Sequence, residues 1–293
     1  MGDERRSVSG AGPRTARALS LHDVASGSGP LAAIAWPGSG PTLVLLHGLG
    51  GNALVWTGLA EALVGRSLLA LDLPDHGGSA APTEGRGVAR LGAQIARLVA
   101  PHCREGVLFV GHSWGGVVAI AAAAAATNTR ECAVRGLVLV DSVPAQSVEL
   151  RRAGETADRL FAGEYGPWPD LATAIAAVRE LPQYTPWSTW VEAAFRRAVT
   201  IEQDGRVVPR LTRQKAIDVI EPAFAEDLTG LAACVQAPVL ILQADESAGR
   251  PDPNQTLWRD STALTLPGNH WLQINCVAGV ADALGNWMHA HGI

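Results

Sequence analysis

Short, nearly all-apolar runs alternate along this chain with longer stretches of mixed polarity. The runs fall at residues 31–36, 42–46, 67–71, 106–110, 136–140, 239–242 and 262–266. They are rich in Leu, Val and Ile and lack the polar alternation of a half-exposed strand, so they read as strands covered on both faces. Helical stretches lie between them: 52–63 with Asn52 as a plausible N-cap, 87–100, an alanine-rich segment around 117–126, and 277–289. This alternation predicts an α/β domain with a mostly parallel central sheet and helices on both faces. Between Asp141 and Pro238 the pattern changes to helical stretches with no convincing strand. Such an insertion is expected to form a helical cap over the C-terminal edge of the sheet, where open α/β sheets bind their ligands. The expected division is a leader at 1–20, a core at 21–144 and 226–293, and a cap at 145–225. Pro37 to Pro41 read as a turn-rich linker between the first two runs.

Composition narrows the function classes. With 293 residues, 47% hydrophobic and 17% charged, the chain can bury a large core. A net charge of -5 supplies no basic face for nucleic acid. No apolar run has the length of a membrane span. The leader carries Arg5, Arg6, Arg14 and Arg17 but no apolar stretch, so it is expected to be disordered and not a secretory signal. Cys103, Cys132, Cys234 and Cys276 are isolated, without C-x-x-C spacing, and read as free thiols in a reducing, cytoplasmic setting with no metal site.

The chemistry-bearing stretch is Gly111-His112-Ser113-Trp114-Gly115-Gly116, placed between a valine-rich strand and an alanine-rich helix. A serine between glycines on a strand-to-helix turn is the nucleophile-elbow pattern. Three other pieces accompany it in order: His47-Gly48-Leu49-Gly50-Gly51, then Asp72-Leu73-Pro74-Asp75-His76-Gly77-Gly78-Ser79, and finally Pro267-Gly268-Asn269-His270-Trp271.

With these four pieces the sequence resembles the α/β-hydrolase superfamily, in its cap-bearing esterase, lactonase and C–C hydrolase branch, from about residue 31 onward. The resemblance implies that Ser113 is the nucleophile and His270 its base, with no cofactor. It implies an oxyanion site made by the backbone N–H groups of Leu49 and Trp114. The acid behind His270 stays open between two locations. The loop after the strand ending at Gln243 holds Ser247 and Ala248 where an acid is usual, with Asp245 and Glu246 too early and Asp252 further on; the alternative is Asp141, after the elbow helix's strand. His47 and His112 read as architectural, and Asp72 as the residue that orders its turn. Nine tryptophans and the aromatic residues of the insertion favour an apolar or aromatic substrate, with Gly50, Trp187, Trp190 and Trp271 as candidate contacts. The expected activity is hydrolysis of an apolar carboxylic ester or lactone. A C–C bond hydrolase on the same residues and a small-molecule receptor built on the same fold are the alternatives.

Overall fold

The structure, a computed structural model, describes residues 15–22, 29–82, 85–129, 132–142, 166–247 and 257–293. Eight strands form one sheet: β1 (Arg17–Leu21), β2 (Leu31–Trp36), β3 (Ser39–Leu46), β4 (Arg66–Leu71), β5 (Val107–His112), β6 (Val134–Val140), β9 (Val239–Ala244) and β10 (Ser261–Leu266). Their order is β1-β2-β4-β3-β5-β6-β9-β10. β1 and β2 run antiparallel to their neighbours, and the pairs from β4 to β10 are parallel. A strand followed by a crossover to a parallel neighbour needs a helix on one face. Here α1 (Thr57–Ala62), α2 (Val88–Val99) and α3 (Trp114–Thr129) supply them, while α8 (Leu272–Asn275) and α9 (Val277–Ala290) follow the last strand and pack on the same face as α1.

The period-2 geometry of a strand sends successive side chains to opposite faces. Leu43, Leu45, Leu108, Val110, Val138 and Leu240 accordingly join one apolar cluster, with Trp56, Leu59 and Leu284. Their chain neighbours Val44, Phe109, Leu137 and Ile241 join the other, with Ile95, Val118 and Ile120. Both faces are thus covered, which is why these strands carry no polar alternation. α3 is buried along most of its length, so its alanines serve close approach. A side chain on Gly92 of α2 would lie 2.4 Å from the backbone of Ala121 in α3.

Between β6 and β9 the described chain forms α4 (Leu171–Val178), α5 (Thr189–Ala198), β7 (Val199–Ile201), β8 (Val207–Pro209), α6 (Arg213–Ile220) and α7 (Leu228–Ala233). Asp170, Ser188, Thr212 and Asp227 accept the N–H bonds that start α4 to α7. Trp168, Val191, Phe195 and Val207 continue the apolar cluster of the sheet's α1–α9 face into this insertion.

Three expectations are corrected. The leader does not run to residue 20: Arg17–Leu21 is a strand paired antiparallel with β2. Arg17, Ala18 and Ser20 are exposed, and only Leu19 and Leu21 pack against the sheet's apolar cluster, so burial leaves too short a mark to read from the sequence. The insertion is not all-helical. β7 and β8 form a hairpin around Gly205, whose φ is +88°, and Trp168 bridges to Val207 on the other side. These strands are three residues each, too short to give a period. Finally, β3 begins at Ser39, inside the stretch read as a linker, through a register shift before Leu43. Residues 145–165 of the expected cap lie outside the described residues. Among the described residues no helix is long and apolar enough to cross a membrane.

Candidate active site

Ser113 sits where β5 ends and α3 begins, with φ of +51°. A non-glycine residue in this left-handed region is strained, and such strain persists only where surrounding structure enforces it. Close packing enforces it here. A side chain on Gly111 would lie 2.2 Å from the Gly115 carbonyl, and one on Gly115 would lie 2.2 Å from that of Leu46. The turn is clamped from β6: Ser113 N–H donates to Val140 O at 3.1 Å, and Ser142 Oγ donates to Ser113 O at 2.7 Å.

The structure brings Ser113, His270 and Asp141 into one line. Ser113 Oγ lies 3.0 Å from His270 Nε2, and His270 Nδ1 lies 2.6 Å from Asp141 Oδ2. Asp141 accepts, so Nδ1 carries the hydrogen and Nε2 is left to accept from the serine hydroxyl. Asp141, at the end of β6, is a second strained residue, with φ of +41°. Its other oxygen accepts from Ala244 N–H at 3.0 Å, which fixes the carboxylate toward His270. Asp245, the alternative acid, instead accepts from Gly268 N–H at 2.9 Å and shapes the loop leading to His270. Glu246 is tied to that loop through its backbone N–H, and Asp252 lies outside the described residues.

Three buried neutral histidines hold the surrounding backbone. His112 Nε2–H donates to His270 O at 2.8 Å while Nδ1 accepts from Gln273 at 3.1 Å. His47 accepts from Leu73 N–H at 2.9 Å and donates to Gly48 O at 2.7 Å. His76 accepts from Gly50 N–H at 3.0 Å and donates to Pro74 O at 2.8 Å. Each ring uses one nitrogen as an acceptor, so protonation would break a bond. Burial, helped by the neighbouring His76, lowers His47 to about 3. Burial likewise lowers His76, and burial together with nearby His270 lowers His112 well below the usual range. The Leu49 turn is therefore fixed from two sides. Among the described residues, the N–H groups of Leu49 and Trp114 have no hydrogen-bond partner. Trp114 is the first residue of α3, where N–H groups lack intrahelical acceptors.

Asp72, fully buried, anchors the same region. It accepts from Ala53 N–H and Gly78 N–H, each at 2.7 Å, and from Arg197 Nε at 2.9 Å. Arg197 is on α5, so this ion pair ties the insertion to the core. Asn52 Nδ2 adds a bond to Ala194 O at 2.8 Å, one turn earlier on the same helix.

Two cavities flank this centre. One is bordered by Leu49, Gly50, Trp271, Tyr184, Ala194 and Leu211 among others. The second is bordered by Trp114 together with Leu73, Pro74, Arg86, Leu91 and Val219. Leu211 and, from α6, Ala216 and Ile220 pack with Leu49 and Trp114.

A family model described as the alpha/beta hydrolase family matches residues 43–283. The chain belongs to the alpha/beta hydrolase family. An esterase of Mycobacterium tuberculosis is 38% identical over 133 residues, 45% of this chain and 42% of that protein. A 2-succinyl-6-hydroxy-2,4-cyclohexadiene-1-carboxylate synthase of Salmonella paratyphi C is 42% identical over 87 residues, 30% of this chain and 34% of that protein. The chain thus spans less than half the length of either relative. The crystal structure of an E-2-(acetamidomethylene)succinate hydrolase superposes with a TM-score of 0.77, covering 94% of this chain and all 100% of that one, at 22% identity. At that identity the likeness speaks for the fold alone.

Within this alpha/beta hydrolase, two of the four expected contacts border a cavity and two do not. Gly50 and Trp271 border the first cavity. Trp187 and Trp190 border neither. Trp187 packs on Tyr184 and Phe195, and Trp190 lies over Gly58 of α1, where an added side chain would come within 2.9 Å of the ring. Both serve packing between insertion and core. Tyr184, Ala194 and Leu211 also border the first cavity; Tyr184 belongs to the insertion's aromatic residues, whereas Ala194 and Leu211 carry no sequence signal beyond being apolar. Arg197 was not singled out either; its partner is 125 residues away in sequence.

Proposed function

We propose that this chain is a serine hydrolase that cleaves a carboxylic ester or lactone bearing an apolar arm, through an acyl-enzyme. What supports the reading is the unbroken hydrogen-bonded line from Ser113 Oγ through His270 to Asp141, set beside two N–H groups without partners. A serine hydroxyl is too weakly acidic to attack alone. His270 Nε2 takes its proton as Oγ bonds to the carbonyl carbon, and Asp141 stabilises the imidazolium that results. The negative oxygen of the tetrahedral intermediate rests against the N–H groups of Leu49 and Trp114. Collapse breaks the bond to the leaving alkoxide, which receives the proton from His270. Water then attacks the acyl-serine by the same route and restores Ser113. The apolar arm occupies the cavity bounded by Leu49, Tyr184 and Trp271.

Stopped-flow hydrolysis of aryl esters with acyl chains of graded length tests this. The expected result is an initial burst of phenol close to one equivalent per chain, absent in Ser113→Ala. Steady hydrolysis by Ser113→Ala at the rate of the unmodified chain would contradict it.

A further inference from the structure

The second cavity is not needed by an ester with a single apolar arm. It is bordered by Trp114, the residue after Ser113, and lies at the same sheet edge, because Leu73 and Pro74 follow β4 and Trp114 follows β5. Its walls combine apolar side chains, Leu73, Leu91 and Val219, with two arginines, Arg86 and Arg90. Arg86 is an oriented cation. Its Nη1 bonds to Asp75, and among the described residues that is its only hydrogen bond, so Nε and Nη2 keep their donors. Asp75 is itself built for this contact: it holds φ of +66° and its side chain is 4% exposed. Glu226, the other acid close by, is engaged by the N–H groups of Val88 and Ala89 at 2.6 and 2.7 Å.

A guanidinium held by one edge, with its remaining donors on the wall of an apolar cavity, matches the fork geometry of a carboxylate. Resting on the proposed serine chemistry, we infer that the substrate has two arms about the scissile carbonyl: an apolar arm on the Tyr184 side, and an arm ending in a carboxylate that Arg86 binds in the second cavity. Asp75 is then a positioning residue that holds Arg86 in place.

Two series of esters test this, each pairing a terminal carboxylate with an uncharged isostere of the same length, one series on the acyl side and one on the alcohol side. In at least one series the carboxylate member is expected to have a kcat/KM about tenfold higher, equivalent to about 1.4 kcal/mol. The ratio should fall to about one in Arg86→Met. Removing Arg86 leaves Asp75 buried without its partner, so the Asp75→Asn/Arg86→Met double variant, which carries no such charge, repeats the measurement. No carboxylate preference in either series, or a preference that survives in both variants, would overturn the inference. Fluorophosphonate labelling of Ser113 in the unmodified chain separates the two levels. Absent labelling removes the serine-hydrolase reading itself, whereas labelling without carboxylate preference removes only the two-arm substrate.

Discussion

The edge of the sheet that carries Ser113 and Asp141 and the insertion between β6 and β9 are held by different physics. At the edge, position comes from the backbone. Ser113 and Asp141 both sit at positive φ, the elbow glycines leave no room for side chains, and buried histidines grip main-chain groups. In the insertion, position comes from side-chain packing and helix caps: Trp168, Tyr184 and Trp187 gather around Phe195, and four short helices each begin on an Asp, Ser or Thr. An edge fixed by backbone constraint tolerates few residue types at each position, whereas a packed insertion tolerates many. Chemistry is therefore written in motifs at the edge, and selectivity is written in shapes that motifs do not record.

The contrast can be broken most sharply at His270. His270→Ala should lower ester hydrolysis by about 10⁴-fold or more, because base and nucleophile act as a unit, while thermal unfolding barely moves. A similar loss of melting temperature would blur the contrast. Phe195→Ala should do the reverse. It deletes a fully buried ring from the insertion, costing about 3 kcal/mol and lowering the melting temperature by roughly 6 °C, with hydrolysis retained in the cold.

The joint between the regions comes next. Arg197→Met leaves Asp72 buried with only its N–H donors. Breaking a buried pair costs about 3–5 kcal/mol, and because Arg197 is 31% exposed the expected loss is smaller, about 2 kcal/mol. Since Arg197 fixes α5 over the cavity, KM for long-chain esters should rise as well; an unchanged KM would make the pair purely structural.

Smallest is the effect of pH on any single histidine. His47, His76 and His112 have folded pKa values below the ordinary 6.5, so the unfolded chain binds more protons as pH falls beneath that value. Stability contributed by their neutrality is complete above about pH 6.5 and is lost as pH falls toward the folded values, about 3 for His47. Each histidine adds a slope on the order of 1 kcal/mol per pH unit in that window. Denaturant titrations at pH 7, 6 and 5 check it, and His76→Gln should flatten the slope.

The same division explains what the chain's sequence discloses. The central strands were legible because burial on both faces removes polar residues from them, whereas β10 is an apolar run none of whose residues is buried, and Asn52 was legible as a helix start because its side chain caps Leu54 N–H. β1 escaped because only Leu19 and Leu21 of its five residues pack inward, too few to give an apolar run. At the site, Ser113, His270 and the Leu49 turn follow from local patterns. Asp141 could be placed only as one of two locations, because its pairing with His270 spans 129 residues and depends on the loop after β9 turning its own acid elsewhere. Tyr184 and Leu211 border the cavity while Trp187 and Trp190 do not, and nothing in their residue types separates the two pairs.

The central claim is that His270 is served by Asp141 across the sheet and not by Asp245 in its own loop. Hydrolysis rates of Asp141→Asn and Asp245→Asn, measured on the same ester with both proteins verified as folded, test it directly. The account predicts a loss of about 10⁴-fold in kcat for Asp141→Asn, whose amide favours the wrong histidine tautomer, and a change of only a few-fold for Asp245→Asn. The opposite order of effects would contradict it.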